Sequence, residues 1–521
     1  MKPMKRTAQL IWNGLLLTFV ALFMRGVGVA FQVFIADTAG SEAVGLHTVI
    51  ASVFGFAVTL ATSGIQLGTT RLVSEAIGRN AEGDVRGVRN ACFAYALIFG
   101  ALSSFVLFFG ADLIGTVLLK DARTVRSLRI LALSLLPIAL SSVMNGYFTA
   151  VRRVYKNALT GVLSQAIRMV LTAALLLYVF PREIENACVA MVVGSAASEI
   201  FSAVLLGILF LFEQRRYRGN APVRTMKHWR ELCGISLPLA LSAYTRSGLL
   251  SLQHLMIPIG LTAFFGDRST ALSSFGTLHG VVFPLVLFPS AIISSFAGLL
   301  VPEIAERRVR NAAPQIGHIV RTVFRVTLLF SVGVAGILLC FSSEISTRLD
   351  RSAEAAYYIR VLAPLIPVMY LDTAVDAMLK GHGEQVYCMQ VNILDSFLSL
   401  VLVVLLLPRF GISGYLFTVY LTEILNATLS ITRLLSVTNL RPPLLRGILL
   451  PLLAVIGATT CTRLLGYVGL LGGFGGLSDI TLHVLLAVLL YFVLLFMLGA
   501  LRKEEVLPFA LTIFPQRTRR S

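Results

Sequence analysis

Charge is scarce in this chain. Only 13% of its 521 residues are Asp, Glu, Lys or Arg and 56% are hydrophobic, whereas about a quarter of an ordinary soluble domain is charged. A water-soluble fold of this length is excluded, and the chain reads as a polytopic membrane protein. Cysteine is sparse too. Cys92, Cys188, Cys233, Cys340, Cys388 and Cys461 stand singly in apolar stretches, with no CxxC pair and no histidine at ligand spacing. That pattern excludes a zinc or dithiol motif and leaves the thiols as small core hydrophobes. No nucleotide-binding loop occurs. Gly472-Gly-Phe-Gly-Gly476 follows no strand and precedes no Lys-Ser/Thr pair, so it reads as a turn between helices rather than a phosphate cradle. The basic start, Met1-Lys-Pro-Met-Lys-Arg6, leads into an apolar run without a small-residue cleavage site before its end, so an uncleaved first span is expected.

What the chain does have is a succession of apolar windows. They fall near residues 10–36, 44–69, 91–119, 127–150, 157–180, 187–212, 230–260, 271–302, 314–342, 358–379, 385–407, 411–432, 446–468 and 480–501, each long enough to cross a bilayer as a helix. The expected fold class is all-α, with 14 transmembrane helices. The stretch 230–302 carries Pro238, Pro258, Pro284 and Pro289, any of which can break or kink a helix.

An even number of spans puts both termini on one side. Lys and Arg are more than twice as frequent in the tails and loops of that side as in the opposite loops, so the termini are expected to be cytoplasmic. The formal charge of +18 is thereby spread through short loops as topology signals and contacts to membrane lipids, with no basic domain for nucleic acid. One outer loop departs from the rule. Lys120, Arg123, Arg126 and Arg129 cluster between spans three and four, where outer headgroups or a cavity mouth would account for them.

The chain also repeats itself. Leu128-Arg-Ile-Leu-Ala132 matches Ile359-Arg-Val-Leu-Ala363, each followed by a proline (Pro137, Pro367); Val154-Tyr155 matches Val386-Tyr387, and Glu75 with Arg79 matches Glu303 with Arg307. The common offset, about 230 residues, covers six helices, so the two copies have the same membrane orientation, as in parallel-repeat transporters. The expected division is a lobe over residues 1–212, a basic cytoplasmic linker over 213–230, a second lobe over 231–440, and two further helices with a basic tail over 441–521.

Once the basic residues of the tails, loops and span ends are counted, four remain inside proposed spans: Arg25, Arg168, Arg246 and Arg325. Arg25 is the only charge in Leu10–Ala36, a run of about 40 Å as a helix, and near its middle no snorkelling route exists. A charge there is costly and marks a functional site. It either faces a polar cavity, where it would hold an anionic part of a substrate, or pairs with an acid such as Glu199. Arg246 occupies the corresponding first helix of the second repeat, which makes it the natural partner of Arg25. Arg71 ends span two near the cytoplasmic face, either meeting the substrate on entry or anchoring the interface. Arg168 lies beside Gln165, in an intralobe network or in contact with substrate. His254 and His279 read as core or cavity-lining groups. Acids collect late in the chain, with Asp372 and Asp376 on span ten, Asp395 on span eleven and Glu423 on span twelve. Intramembrane carboxylates need a partner, a proton or a metal ion.

The pieces Met24-Arg-Gly-Val-Gly28, Ala61-Thr-Ser-Gly-Ile65, Arg71-Leu-Val-Ser-Glu75, Gly146-Tyr-Phe148, Phe288-Pro289 and Leu300-Val-Pro-Glu303 resemble the stage V sporulation protein B family of polysaccharide-biosynthesis membrane proteins. That family belongs to the multidrug/oligosaccharidyl-lipid/polysaccharide exporter superfamily, with the lipid II flippases. The resemblance covers essentially the whole chain. It implies two six-helix lobes in a V around a central cavity, a bacterial cytoplasmic membrane, and movement of an undecaprenyl-diphosphate-linked sugar. Its pattern places an arginine before a glycine turn of span one, matched by Arg25. Relatives carry a second basic residue further along that helix, and this chain has Phe31-Gln32 there. The resemblance also makes the helices of Asn392 and Asp395 and of Thr418, Thr422 and Glu423 neighbours, an oxygen-only set for Na⁺, beside the alternatives of a protonated carboxylate and of structural pairing.

The expected function is flipping of a lipid II-like precursor by alternating access, with Arg25, Arg246, Arg71, Arg168 and His279 as substrate-binding candidates. Coupling would come from membrane potential or a Na⁺ or H⁺ gradient. The expected partners are the lipid-linked oligosaccharide, membrane lipids and cell-wall synthesis proteins, and no catalytic residue, resident metal or cofactor is expected. Two other readings are a drug/cation antiporter, which should present an acidic cavity, and a non-transporting scaffold for wall synthesis. A membrane glycosyltransferase would need catalytic carboxylates on sizeable outer loops, and Glu183-Ile-Glu185 is the one closely spaced acidic pair in the proposed outer loops.

Overall fold

The computed structural model describes residues 23–78, 82–151, 153–179, 183–214, 225–310, 312–349, 353–440, 444–467 and 477–499. The basic N-terminal start, Arg79, the linker arginines Arg215, Arg216, Arg218 and Arg224, the Gly472–Gly476 turn and the basic tail lie outside the described residues. Among the described residues every regular element is a helix, as the spacing of apolar runs requires. Among the described residues, eleven segments are long and apolar enough to cross a membrane.

The first compact unit comprises residues 1–280 and 399–412. Its helices are α1 (residues 23–39), α2 (Ser41–Thr62), α3 (Ile65–Gly78), α4 (Glu82–Leu113), α5 (Arg123–Ala150), α6 (Val154–Ala174), α7 (Ile184–Gln214), α8 (Thr225–Phe265) and α9 (Arg268–Gly276). Span two is two helices rather than one. Gly64 between them has φ +76°, and a Cβ there would lie 2.6 Å from the Ser236 carbonyl oxygen, so glycine supplies both the left-handed backbone and the close approach of α8. The core of this unit joins Ile65 and Val73 of α3, Cys92 and Tyr95 of α4, Val143 and Phe148 of α5, Phe210 of α7 and Leu232 of α8. Three of the six cysteines, Cys92, Cys188 and Cys388, are buried as the composition predicts, while Cys461 is exposed.

The second unit comprises residues 281–398 and 413–521. It contains α10 (Phe283–Leu287), α11 (Ser290–Val309), α12 (Ala313–Cys340), α13 (Ser342–Leu349), α14 (Ala353–Leu362), α15 (Ile366–His382), most of α16 (Gln385–Thr438), α17 (Leu444–Tyr467) and α18 (Leu477–Met497). The expected eighth span, 271–302, is not one helix. A π-helical turn, Thr277–Val282, follows α9, and the chain breaks at Phe288-Pro289 before α11; the helix containing Pro238 and Pro258 runs on unbroken. The two expected spans 385–407 and 411–432 are the limbs of the 54-residue α16, kinked at Gly411, whose φ of +57° favours glycine. The limbs fold back on each other, since the Tyr387 hydroxyl donates to the Leu429 carbonyl at 3.3 Å and Arg433 pairs with Glu384 at 2.8 Å. A separate core joins α12, α17 and α18, where the buried Tyr491 hydroxyl donates to the Leu329 carbonyl at 2.5 Å.

Candidate functional site

Helix α1 presents Arg25, Gly28 and Gln32 at i, i+3 and i+7, which is one helix face. Arg25 is exposed and makes no hydrogen bond or ion pair with the described residues. Three residues on, a Cβ at Gly28 would sit 3.7 Å from Gln165 Nε2, so α1 runs beside α6. Gln165 Oε1 accepts a hydrogen bond from Arg168 Nη2 at 2.6 Å. Arg168 lies in electrostatic reach of Glu199 on α7 and of His47 on α2. Of the two alternatives for Arg25, pairing with Glu199 is not found among the described residues, where Glu199 lies in electrostatic reach of Arg168 instead.

Four residues beyond Gly28, the face continues with Gln32. A Cβ at Gly280 would lie 3.7 Å from Gln32 Nε2. Gly280 belongs to the π-helical turn, as does His279, whose ring centroid is 5.1 Å from that of His254 on α8 and 4.5 Å from Phe275. Arg246, also on α8, is exposed and unpaired among the described residues. It lies in the same compact unit as Arg25. Its neighbours tie α8 to α2: Thr59 and Ser247 share a hydroxyl bond of 3.0 Å, and the Tyr244 hydroxyl donates to the Leu60 carbonyl at 3.2 Å. Arg71 on α3 pairs with Glu75 at 3.0 Å and is exposed.

The second unit gathers acids. Asp372 on α15 and Asp395 and Glu423 on α16 are in mutual electrostatic reach. Asp376 is neutralised by Lys380 at 2.7 Å. Of the oxygen set read from the sequence, Asn392 Nδ2 donates to the Cys388 carbonyl at 2.7 Å, Thr418 to Gly414 at 2.9 Å and Thr422 to Val419 at 3.5 Å. These hydroxyl protons are thus used within the helix, while the oxygen lone pairs stay available. Asp372 stands one turn from Asp376 on α15 and is also in electrostatic reach of Glu423, a relation that needs the α16 hairpin and has no signal in linear spacing.

The basic stretch from Lys120 to Arg129 makes defined ion pairs. Arg123 binds Asp121 with Nη2 at 2.8 Å and Nε at 3.0 Å, and reaches Glu42 of α2 with Nη1 at 3.2 Å. Arg268 of α9 meets Asp121 at 3.3 Å and the Leu119 carbonyl at 2.7 Å, and Ser269 donates to Glu42 at 2.5 Å. Arg129 pairs with Asp112. Arg123 and Arg129 are therefore engaged in ion pairs with protein acids, rather than being reserved for headgroups. Burial works to raise the Asp121 carboxyl pKa, but hydrogen bonds and charge from Arg123, with the charge of Arg268, outweigh it and hold the group below the ordinary carboxylate range. Asp267 is likewise lowered, by its caps on Thr270 and Ser269. Glu42, Asp121, Arg268 and His47 were not singled out from the sequence. The available signal was a polar residue at the edge of, or inside, an apolar run.

A family model described as polysaccharide biosynthesis protein matches residues 10–308, more than half of the chain. The chain belongs to the polysaccharide biosynthesis protein family. This family member is similar to stage V sporulation protein B of Bacillus subtilis (strain 168), at 26% identity over 409 residues covering 77% of this chain and 78% of that protein. It is also similar to sporulation protein YkvU of the same organism, at 20% identity over 373 residues, 71% of this chain and 82% of that one. Among solved structures, an inward closed conformation of the lipid II flippase MurJ superposes with a TM-score of 0.69 at 13% identity, covering 96% of this chain and 100% of that chain. An inward-facing multidrug resistance MATE family transporter of the MOP superfamily superposes with a TM-score of 0.63 at 12% identity, covering 81% and 98%. The polysaccharide biosynthesis protein described here therefore has the fold of MOP superfamily transporters.

Proposed function

We propose that this protein is a flippase for a lipid II-like precursor, an undecaprenyl-diphosphate-linked sugar, which it moves across the bacterial cytoplasmic membrane by alternating access. The observation that carries the reading is Arg25: a guanidinium on an apolar helix, exposed, unneutralised by any described acid, in a member of a polysaccharide biosynthesis family. Arginine suits a diphosphate because its planar fork binds two oxygens at once and keeps its charge at every physiological pH. Arg246 is the second cation of the clamp, Arg71 meets the headgroup on entry, and Arg168 and His279 line the path. The lipid tail stays in the bilayer while the headgroup crosses. Both termini and the basic tail face the cytoplasm, and cell-wall synthesis proteins supply and remove the substrate.

The acids of the second unit support coupling to a cation. Asp372, Asp395 and Glu423, with the oxygens of Asn392, Thr418 and Thr422, offer hard ligands suited to Na⁺, or carboxylates suited to H⁺. The same acids favour a second reading, a drug/cation antiporter. Reconstitution in liposomes separates the two. Flipping of labelled lipid II under an imposed potential or a Na⁺ or H⁺ gradient supports the flippase; uptake of a cationic dye without lipid II flipping supports the antiporter and sinks the leading reading.

A further inference from the structure

Gln32, His254 and His279 come from three different helical segments and stand deep inside their spans. Counted from the ends nearest the outer loops, residues 39, 265 and 268, they lie about 10–16 Å along their helices. Gln32 and His254 are half-buried and make no hydrogen bond with the described residues. Polar groups left without partners at that depth are costly in hydrocarbon. They are tolerated where water or a ligand answers them. The backbone beside them is irregular: His279 and Gly280 sit in the π-helical turn, a feature common at functional sites. Gly280 brings that turn to the Gln32 amide, where a Cβ would lie 3.7 Å from Nε2. His279 packs edge-on against His254, with ring centroids 5.1 Å apart. No carboxylate or lysine is described in contact with Gln32 or His254, so these two offer hydrogen bonds and no ion pair.

Arg25 lies seven residues before Gln32 on the same face, about 10 Å along the axis. We propose that Gln32 and His254, with His279 setting the His254 ring, form a neutral hydrogen-bonding subsite that reads the first sugar of the substrate while Arg25 holds its diphosphate. An amide and an imidazole match the hydroxyl and acetamido groups of a sugar, each able to donate and accept. They have no charge with which to hold a phosphate. The proposal rests on the flippase reading and adds to it the division of one headgroup between a charge-reading end and a sugar-reading end.

The test uses the full-length protein in nanodiscs and two probes, undecaprenyl diphosphate and the same lipid bearing its first sugar. Gln32→Met and His254→Phe keep side-chain volume and remove hydrogen-bonding groups; a thermal midpoint matching the wild type confirms that each remains folded. Each should weaken the sugar-bearing lipid roughly three- to tenfold, the effect of one hydrogen bond, and leave the bare diphosphate lipid within twofold. Arg25→Gln should weaken both lipids alike. Equal weakening of both probes by Gln32→Met, or of neither, overturns the subsite while leaving the flippase reading intact. Wild-type protein that binds neither lipid overturns both.

Discussion

At the scale of residues, the account turns on how two arginines inside spans are treated differently. Arg168 has Gln165 and Glu199, and Arg25 has neither. Removing the Glu199 carboxylate would take away the acid in electrostatic reach of the half-buried Arg168, so Glu199→Gln should lower the thermal midpoint. Replacing both partners, in Arg168→Met/Glu199→Leu, should recover most of that loss; a double variant as unstable as the single one would show that Arg168 is held by other groups. The sequence made Arg25 legible because a lone charge in a long apolar run stands out. It did not make the Arg168–Glu199 relation legible, because α6 and α7 must pack before residues 31 positions apart can meet. Gln32 was noticed only as a missing basic residue, and its proximity to Gly280 depends on a π-helical turn that periodicity does not announce.

At the scale of elements, the seam between α2 and α9 is a close backbone-to-backbone contact. A side chain at Gly45 would run into the Leu272 carbonyl, and one at Gly276 into that of Ser41. The Ser41 and Ser273 hydroxyls lie 3.0 Å apart across the seam. If alternating access opens this side of the protein, the seam must part. A Ser41→Cys/Ser273→Cys protein should therefore cross-link under oxidation, stop flipping, and regain activity on reduction; unchanged flipping by the cross-linked protein would place the moving parts elsewhere. The ion pairs of Asp121 with Arg123 and Arg268 reinforce the same end. Because the Asp121 pKa is held below its unfolded value, its contribution is present above about pH 4, the ordinary aspartate range, and is lost as pH falls through the lowered value. Melting curves should show Asp121→Asn less stable than wild type at pH 7, with the difference shrinking below about pH 4. A difference that stays constant down to low pH would contradict the assignment. The helical character and most span positions were legible in apolar run length. The breaks at Gly64 and Phe288-Pro289 and the hairpin at Gly411 were harder to locate, because glycine and proline permit a bend without dictating it.

At the scale of the whole molecule, the chain belongs to a polysaccharide biosynthesis family and has the fold of MOP superfamily transporters, and the flippase proposal joins the two. The network around Arg123 illustrates the limit of charge counting: the positive-inside rule treats each arginine as a lipid contact, whereas Arg123 is bound by Asp121 and Glu42 from different elements. The central claim is that Arg25 grips the diphosphate in transit. Its most direct measurement is the initial rate of lipid II flipping in proteoliposomes, with equal amounts of inserted wild-type, Arg25→Ala and Arg25→Lys protein. The account predicts that Arg25→Ala slows flipping about 10- to 100-fold, the effect of losing one or two charge-assisted hydrogen bonds, and that Arg25→Lys restores part of the rate through charge without the fork. Arg25→Ala protein that flips lipid II as fast as wild type would contradict it.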